Sequence, residues 1–401
     1  MKKIAILVLL AFYTCLIFAQ ILTFNQGKIQ QKHYLTKIPY QEVLGIPVVS
    51  VTINGKTYKF IFDTGAMLVI SNKIFEELNL KVIRQINSGD ASGQVAKIKL
   101  VVLPEIELQG ITFQNTPGAV FSANSDAAKL AECFGIDGII GSNMLRNSVV
   151  QFDVQNKLII FTNDIKEVLL QHNESQKMKL ESRTSRPFIK ITLQKGTHKA
   201  VDNALFDTGN GEGFFTLSSK KLGGNMNIIA ETEGSFVFGS HGFYKKQRNF
   251  LLNIPEIIIN SLIFNDVIVT TTNADYSIIG TKLFQYGKPT LDYRKKRFYF
   301  EPFDNINTSK PVESPWAISC GFQNDKMIVS NIWNEELKSQ VNLGDEVLNI
   351  NKIDTRSLGF CEYFMLKTSD SDKMIYELRD INSGKTKTVE VERVKVIVEN
   401  K

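Results

Sequence analysis

The sequence predicts a mainly β protein, with two β-rich lobes related by duplication and a small α+β module after them. Three observations carry this prediction. Short runs of Val, Ile, Phe and Thr broken by Gly, Asn and Asp fill most of the 401 residues, while helix-like spacing is rare. Four elements recur in the same order in both halves. Past residue 312 the repetition stops and another pattern begins.

The chain opens with Met1-Lys2-Lys3 and an apolar stretch from Ile4 to Ala19. A short basic lead and a brief hydrophobic run form a secretory signal, so residues 1–19 are expected to be removed and the protein exported. The run falls short of the ~18–20 residues a spanning helix needs, and no later segment is apolar enough, so no membrane span is expected after cleavage. Residues 20–39 read either as a pro-segment or as an N-terminal strand. The first lobe is expected over residues 20–168 and the second over 169–305, with the polar stretch around 163–183 linking or covering them. A boundary rich in Asn, Ser, Thr and Pro precedes the module at 312–401.

The first repeat begins at Ile46-Pro47-Val48-Val49-Ser50-Val51-Thr52-Ile53, which turns at Asn54-Gly55. The second begins at Arg186-Pro187-Phe188-Ile189-Lys190-Ile191-Thr192-Leu193 and turns at Lys195-Gly196. Both read as β-hairpins. Each hairpin runs into Asp-Thr-Gly: Phe60-Ile61-Phe62-Asp63-Thr64-Gly65-Ala66 and Ala204-Leu205-Phe206-Asp207-Thr208-Gly209-Asn210. Leu103-Pro104-Glu105-Ile106 is echoed by Ile254-Pro255-Glu256-Ile257, and Gly138-Ile139-Ile140-Gly141 by Ser277-Ile278-Ile279-Gly280. Each half closes on a strand pair, Gln151–Phe161 and Thr290–Phe300, the second turning at Arg294-Lys295-Lys296-Arg297. Asp153 and Asp292 hold equivalent positions there, suited to turns or ion pairs. Ser71–Leu78, Asn143–Asn147 and Lys282–Tyr286 are the helix candidates.

A carboxylate straight after an apolar strand is costly to place. Two of them at matching points of a duplicated unit can meet on one axis, where they cannot both ionise cheaply and share a proton. The ionised one then activates water while the protonated one polarises a carbonyl, which is chemistry for hydrolysing peptide bonds without metal or covalent intermediate. Gly65 and Gly209 allow the close approach this requires. Gly209-Asn210-Gly211-Glu212-Gly213 lacks the Lys-Ser/Thr and helix start of a phosphate loop.

Formal net charge is +6, with the signs interspersed and no long basic block, which argues against a nucleic-acid partner. His33, His172, His198 and His241 are scattered without ligand spacing, so neither metal nor other cofactor is implied. Three cysteines follow the leader: Cys133, Cys320 and Cys361. They are too few for a disulfide framework, and a Cys320–Cys361 pair within the C-terminal module is left open.

The paired Asp-Thr-Gly loops, each followed by two hydrophobic residues and Gly, resemble the aspartic proteases of the pepsin and retropepsin type over about residues 45–302. The resemblance implies a pseudo-two-fold, single-chain, monomeric enzyme with Asp63 and Asp207 as its catalytic pair. It implies that Thr64 and Thr208 bond the opposite loop, and that Ile139-Ile140-Gly141 and Ile278-Ile279-Gly280 pack beneath. Glycine-bearing flaps would place Asp90, Ala91 and Ser92 in one lobe, and Ser240 and His241 in the other, against a substrate. Two positions depart from the pepsin pattern: Ala66 carries no hydroxyl to favour an ionised aspartate, and Asn210 offers an amide on one side only. A weakly acidic to neutral working pH is expected.

Val341-Asn342-Leu343-Gly344-Asp345-Glu346-Val347-Leu348-Asn349-Ile350-Asn351 resembles the Leu-x-x-Gly-Asp segment of PDZ domains, with Lys352 in place of the final Gly. Ser357–Leu366 is then the helix beside a peptide groove, with closing strands at Met374–Arg379 and Val389–Val398. Cys320, Gly321 and Phe322 stand where a loop would capture a peptide carboxylate; a packing domain with a closed groove is the other reading. These features together imply an exported aspartic endopeptidase, periplasmic or secreted from a bacterium, acting on protein or peptide. The alternative is a non-catalytic peptide-binding protein of the same fold.

Overall fold

The computed structural model describes residues 23–89, 95–122, 125–168, 170, 174–211, 213–223, 226–234, 238–239, 242–243, 246–304, 306, 308–366 and 372–395. The expected leader at 1–19 lies outside them. Strands dominate, as the residue pattern requires.

Each repeat is built on one hairpin. Ile46–Ile53 pairs antiparallel with Lys56–Asp63, and alternation sends Tyr58, Phe60 and Phe62 into the core. Strand Gly138–Gly141 then lies parallel to Phe60–Asp63, with Gly141 opposite Asp63. The second repeat does the same: Pro187–Lys195 pairs with His198–Phe206, and Ile278–Ile279 runs parallel to Leu205-Phe206. The hydrophobic pairs of the two echoed motifs therefore sit beside the strand that delivers each aspartate.

The repeats are joined edge to edge. Strands Leu35–Pro39, Leu158–Thr162, Val149–Asp153, Gly287–Asp292, Arg297–Pro302 and Ser175–Leu180 form a continuous run of six. Its midpoint, where Val149 faces Asp292 and Gln151 faces Thr290, relates the halves. Of the two readings of residues 20–39, the strand holds for 35–39. The stretch 163–183 was expected to link or cover the lobes; its residues 175–180 form a strand that completes this sheet, because Met178 buries itself while its neighbours face out. Asp153 pairs with Lys288 at 3.1 Å, and Asp292 accepts from the Lys295 N–H at 2.8 Å within the turn. One apolar core runs through both halves, from Phe60 and Phe152 to Phe206, Phe284 and Phe298.

Helices are short. Asn72–Glu77 is capped by Ser71, whose hydroxyl accepts from the Ile74 N–H at 3.3 Å. Ser142–Leu145 and the 3₁₀ turn Thr281–Gln285 occupy matching places. The sequence reading missed helix Asp126–Cys133, although Ser125 caps it from the side chain and Asp126 suits its first turn.

The C-terminal module is a six-stranded sheet with its own core, including Val329, Val347, Leu378 and Val391. Asp345 of the Leu-Gly-Asp turn is fully buried, accepts from the Asn342 and Ile381 N–H groups, and pairs with Lys387 at 2.6 Å. Lys352, at the position where a Gly is usual, adopts φ 75°, which explains that preference. The module docks on strand Asn227–Gly234: the Asn331 side chain meets the Thr232 hydroxyl at 2.9 Å, and Trp333 packs against Leu251 and Ile268. A disulfide joins Cys361 to Cys133 of the first lobe, with Cα atoms 5.4 Å apart across a sequence separation of 228. This corrects the open Cys320–Cys361 pairing. Cys320 is free, and burial pushes its thiol up to about 12.

Candidate active site

Both Asp-Thr-Gly loops meet at the junction of the repeats. The Thr64 N–H donates to the Thr208 hydroxyl oxygen at 3.0 Å, and the Thr208 N–H to that of Thr64 at 3.1 Å. Each hydroxyl then donates across the axis, Thr64 to the Phe206 carbonyl at 2.5 Å and Thr208 to the Phe62 carbonyl at 2.7 Å. Both threonines are buried, with 0% and 1% exposed. Four crossed bonds in a dry place fix the two loops against each other.

The carboxyls of Asp63 and Asp207 come together at this junction, each beside the glycine of the opposite loop. A Cβ on Gly65 would stand 2.3 Å from the Asp207 carboxyl carbon, and one on Gly209 would stand 2.4 Å from an Asp63 oxygen. Glycine is therefore a steric necessity at both places. The Gly65 N–H donates to Asp63 Oδ1 at 2.6 Å and the Gly209 N–H to Asp207 Oδ1 at 2.9 Å.

Burial first, and then the charge and hydrogen bond of Asp207, push the Asp63 carboxyl well above the usual carboxylate range. Burial also raises Asp207, but less freely: the bond from Asp63, the Gly209 N–H, the Arg186 guanidinium and the Asn210 N–H all oppose it. The pair therefore holds a proton more tightly than isolated carboxyls would, and its two members are inequivalent. Beneath it, the Ser142 hydroxyl donates to the Thr64 carbonyl at 2.7 Å and meets the Tyr293 hydroxyl at 2.9 Å, tying the first lobe to the second.

The structure brings Asp63, Thr64, Gly65, Asp207, Thr208 and Gly209 together. Asn210 reaches Asp207 through its backbone N–H rather than the expected side-chain amide, which lies where Cβ atoms on Gly213 and Gly280 would fall. A Cβ on Gly211 would stand 1.9 Å from the Leu44 carbonyl oxygen, so Gly211 is an interlobe contact. The hairpin arms Arg84–Gly89 and Val95–Leu108 are described, but Asp90, Ala91, Ser92, Ser240 and His241 lie outside the described residues.

In the C-terminal module, Cys320, Gly321 and Phe322 belong to strand Ile318–Gln323 at one edge of the sheet, next to helix Phe360–Met365. The expected peptide edge is covered by this chain itself. The Tyr363 hydroxyl donates to the Cys320 carbonyl at 2.8 Å, and Phe322 packs against Phe360 and Tyr363.

Residues missed in the sequence are Ser142, Tyr293 and Arg186, the last held by its Nη1 on the Tyr276 hydroxyl at 3.0 Å. Only Arg186 left a signal: aligning Arg186-Pro187 on Ile46-Pro47 puts a charge where the other repeat has an aliphatic residue.

Residues 49–144 match the family described as Aspartyl protease. Among solved structures, the chain is similar to a retropepsin-like aspartic protease from Rickettsia conorii, at 17% identity and a TM-score of 0.24. That match covers 34% of this chain and 95% of the other. Comparison with curated proteins gives no match.

Proposed function

We propose that this chain is an aspartic endopeptidase that hydrolyses peptide bonds with a water held between Asp63 and Asp207. The observation that carries the reading is the crossed threonine network, which holds the two loops so that each carboxyl stands beside the glycine of the other loop. A structural role has no need of two carboxylates opposed in this way, because their mutual repulsion costs stability.

In this mechanism the ionised carboxylate takes a proton from the water, whose oxygen attacks the scissile carbonyl carbon. The protonated carboxyl gives its proton to the carbonyl oxygen, leaving a neutral tetrahedral gem-diol. A proton then passes to the leaving nitrogen, the C–N bond breaks, and an amine and a carboxylic acid depart. The glycine N–H groups hold the carboxyls in place throughout. Ala66 supplies no hydroxyl and the Asn210 amide turns away, so neither loop adds a side-chain donor to favour ionisation. This supports a working pH that is weakly acidic to neutral.

Export belongs to the same proposal. It is supported by the basic-apolar leader and by the Cys133–Cys361 disulfide, a bond at home in oxidising compartments. Peptide capture by Cys320, Gly321 and Phe322 requires Tyr363 to leave the strand edge, so the module acts first as a brace and only then as a binding surface.

The test is incubation of the mature protein with a diverse peptide pool, read by mass spectrometry beside Asp63→Asn and Asp207→Asn. Cleavage by the parent and by neither variant is expected. Cleavage persisting in either variant removes the dyad, and peptide retention without cleavage by the parent favours the non-catalytic binder.

A further inference from the structure

The two halves of the site differ at one charged position. Carrying each hairpin's register two residues past its last described pairs puts Ile46 opposite Asp63 and Arg186 opposite Asp207. The residue before each of the echoed motifs, Gly138-Ile139-Ile140-Gly141 and Ser277-Ile278-Ile279-Gly280, differs as well. In the first repeat it is Asp137, whose carboxylate accepts from the Lys59 N–H at 3.1 Å and faces Lys73. In the second it is Tyr276, and Arg186 is clamped on it: Nη1 donates to the Tyr276 hydroxyl at 3.0 Å, and the guanidinium lies 5.2 Å from the ring centre. Phe188 closes edge-on against the same ring at 5.6 Å.

Among the described residues Arg186 makes no ion pair. Two carboxylates feel its charge, Asp207 and Glu181. Glu181 is already spent, accepting from the Arg183 N–H and from both the N–H and hydroxyl of Thr184. Among the described residues, Asp207 has no such side-chain partner except Asp63. Among the same residues, the groups facing the pair are Arg186 on the Asp207 side, the backbone N–H groups of Gly65, Gly209 and Asn210, and neutral Tyr293 behind Asp63.

We propose that Arg186 is a positioning residue that breaks the symmetry of the pair, keeping the negative charge on Asp207 and the proton on Asp63. A fixed guanidinium near one carboxylate but not in contact with it favours that carboxylate's ionised form, while leaving its oxygens free for water. Clamping on an aromatic ring holds the charge in place without neutralising it. In the hydrolytic reading, on which this assignment of roles rests, Asp207 is the base that takes the water proton, and Asp63 is the acid that protonates the carbonyl oxygen.

Two measurements separate failure of this inference from failure of that reading. The first needs no catalysis. In denaturant unfolding at pH 7, Arg186→Gln and Arg186→Met are made in the parent, in Asp207→Asn and in Asp63→Asn. The loss of stability should shrink in the Asp207→Asn background and persist in the Asp63→Asn background. Equal loss in all three backgrounds overturns the proposal.

The second is the pH profile of kcat/KM on a cleaved peptide. Both neutral variants should move the acidic limb to higher pH and lose activity severalfold on that limb, while Arg186→Lys stays near the parent. An unmoved limb, or a lysine variant shifted as far as the glutamine one, refutes the charge effect. A parent that cleaves nothing removes the protease reading, and the unfolding cycle still decides the asymmetry.

Discussion

Replacing Thr208 by Val tests whether the crossed threonines hold the two loops together. Valine keeps the shape but removes the hydroxyl. The Thr64 N–H then loses its acceptor and the Phe62 carbonyl its donor, in a place where Thr208 is 1% exposed and water cannot substitute. Each of the two orphaned buried groups costs about 1–3 kcal/mol, and the added methyl returns about 1 kcal/mol, so a net loss of about 1–5 kcal/mol, centred near 3, is expected. Thr208→Ser keeps both bonds and loses only a methyl, at about 1 kcal/mol. The assay is urea unfolding at pH 7, comparing midpoints at constant slope. Adding Thr64→Val should cost less than it does alone, because freeing one loop already weakens the bonds of the other. In cleavage assays Thr208→Val should lose about 10²-fold in kcat/KM through misplacement of the pair. A valine variant within about 0.5 kcal/mol of the serine variant would show that the network does not bear the load assigned to it.

Further outcomes follow from the same geometry. Gly65→Ala drives a methyl to 2.3 Å from the Asp207 carboxyl and should abolish cleavage, whereas Gly223→Ala, facing open space, should leave both activity and melting temperature unchanged. Asp63 sits above its ordinary value of 3.8 in the fold, so its contribution to stability is full below that value and is lost as pH rises through the folded value. Asp63→Asn should therefore be more stable than the parent at neutral pH, and titrating the unfolding midpoint downward should close the gap near pH 3.8. Breaking the Cys133–Cys361 bond by Cys133→Ser frees a 228-residue span, for which chain entropy gives a ceiling of about 5 kcal/mol; a lower unfolding midpoint than the oxidised parent is expected. Alkylation of the native protein at pH 8 followed by mass mapping should label Cys320 much more slowly than a free thiol, since its half-buried thiol is held protonated, and labelling at the rate of a small free thiol would contradict this.

Much of the molecule was legible in the chain because the duplication repeats local rules. Alternation in Lys56–Asp63 and His198–Phe206 specifies strands, Asn54-Gly55 and Lys195-Gly196 specify turns, and the echoed Ile-Ile pairs specify parallel neighbours. The six-stranded junction was not legible. Its register is set by edges from both repeats meeting, and a polar strand such as Ser175–Leu180 shows its role only once Met178 has a core to enter. Helix Asp126–Cys133 went unread because a helix of only eight residues among loop residues leaves too short an apolar period to stand out.

By itself the sequence determined the pairing of the two Asp-Thr-Gly loops, and with it the residue types that can share a proton. Glycine is the one residue small enough beside each carboxyl, and threonine carries both donor and acceptor on a short stem. Tertiary structure decided which carboxyl feels Arg186, which cysteine Cys361 meets, and that Tyr363 covers the edge at Cys320. Those outcomes depend on distances between segments far apart in the chain, and local propensity carries no information about such distances.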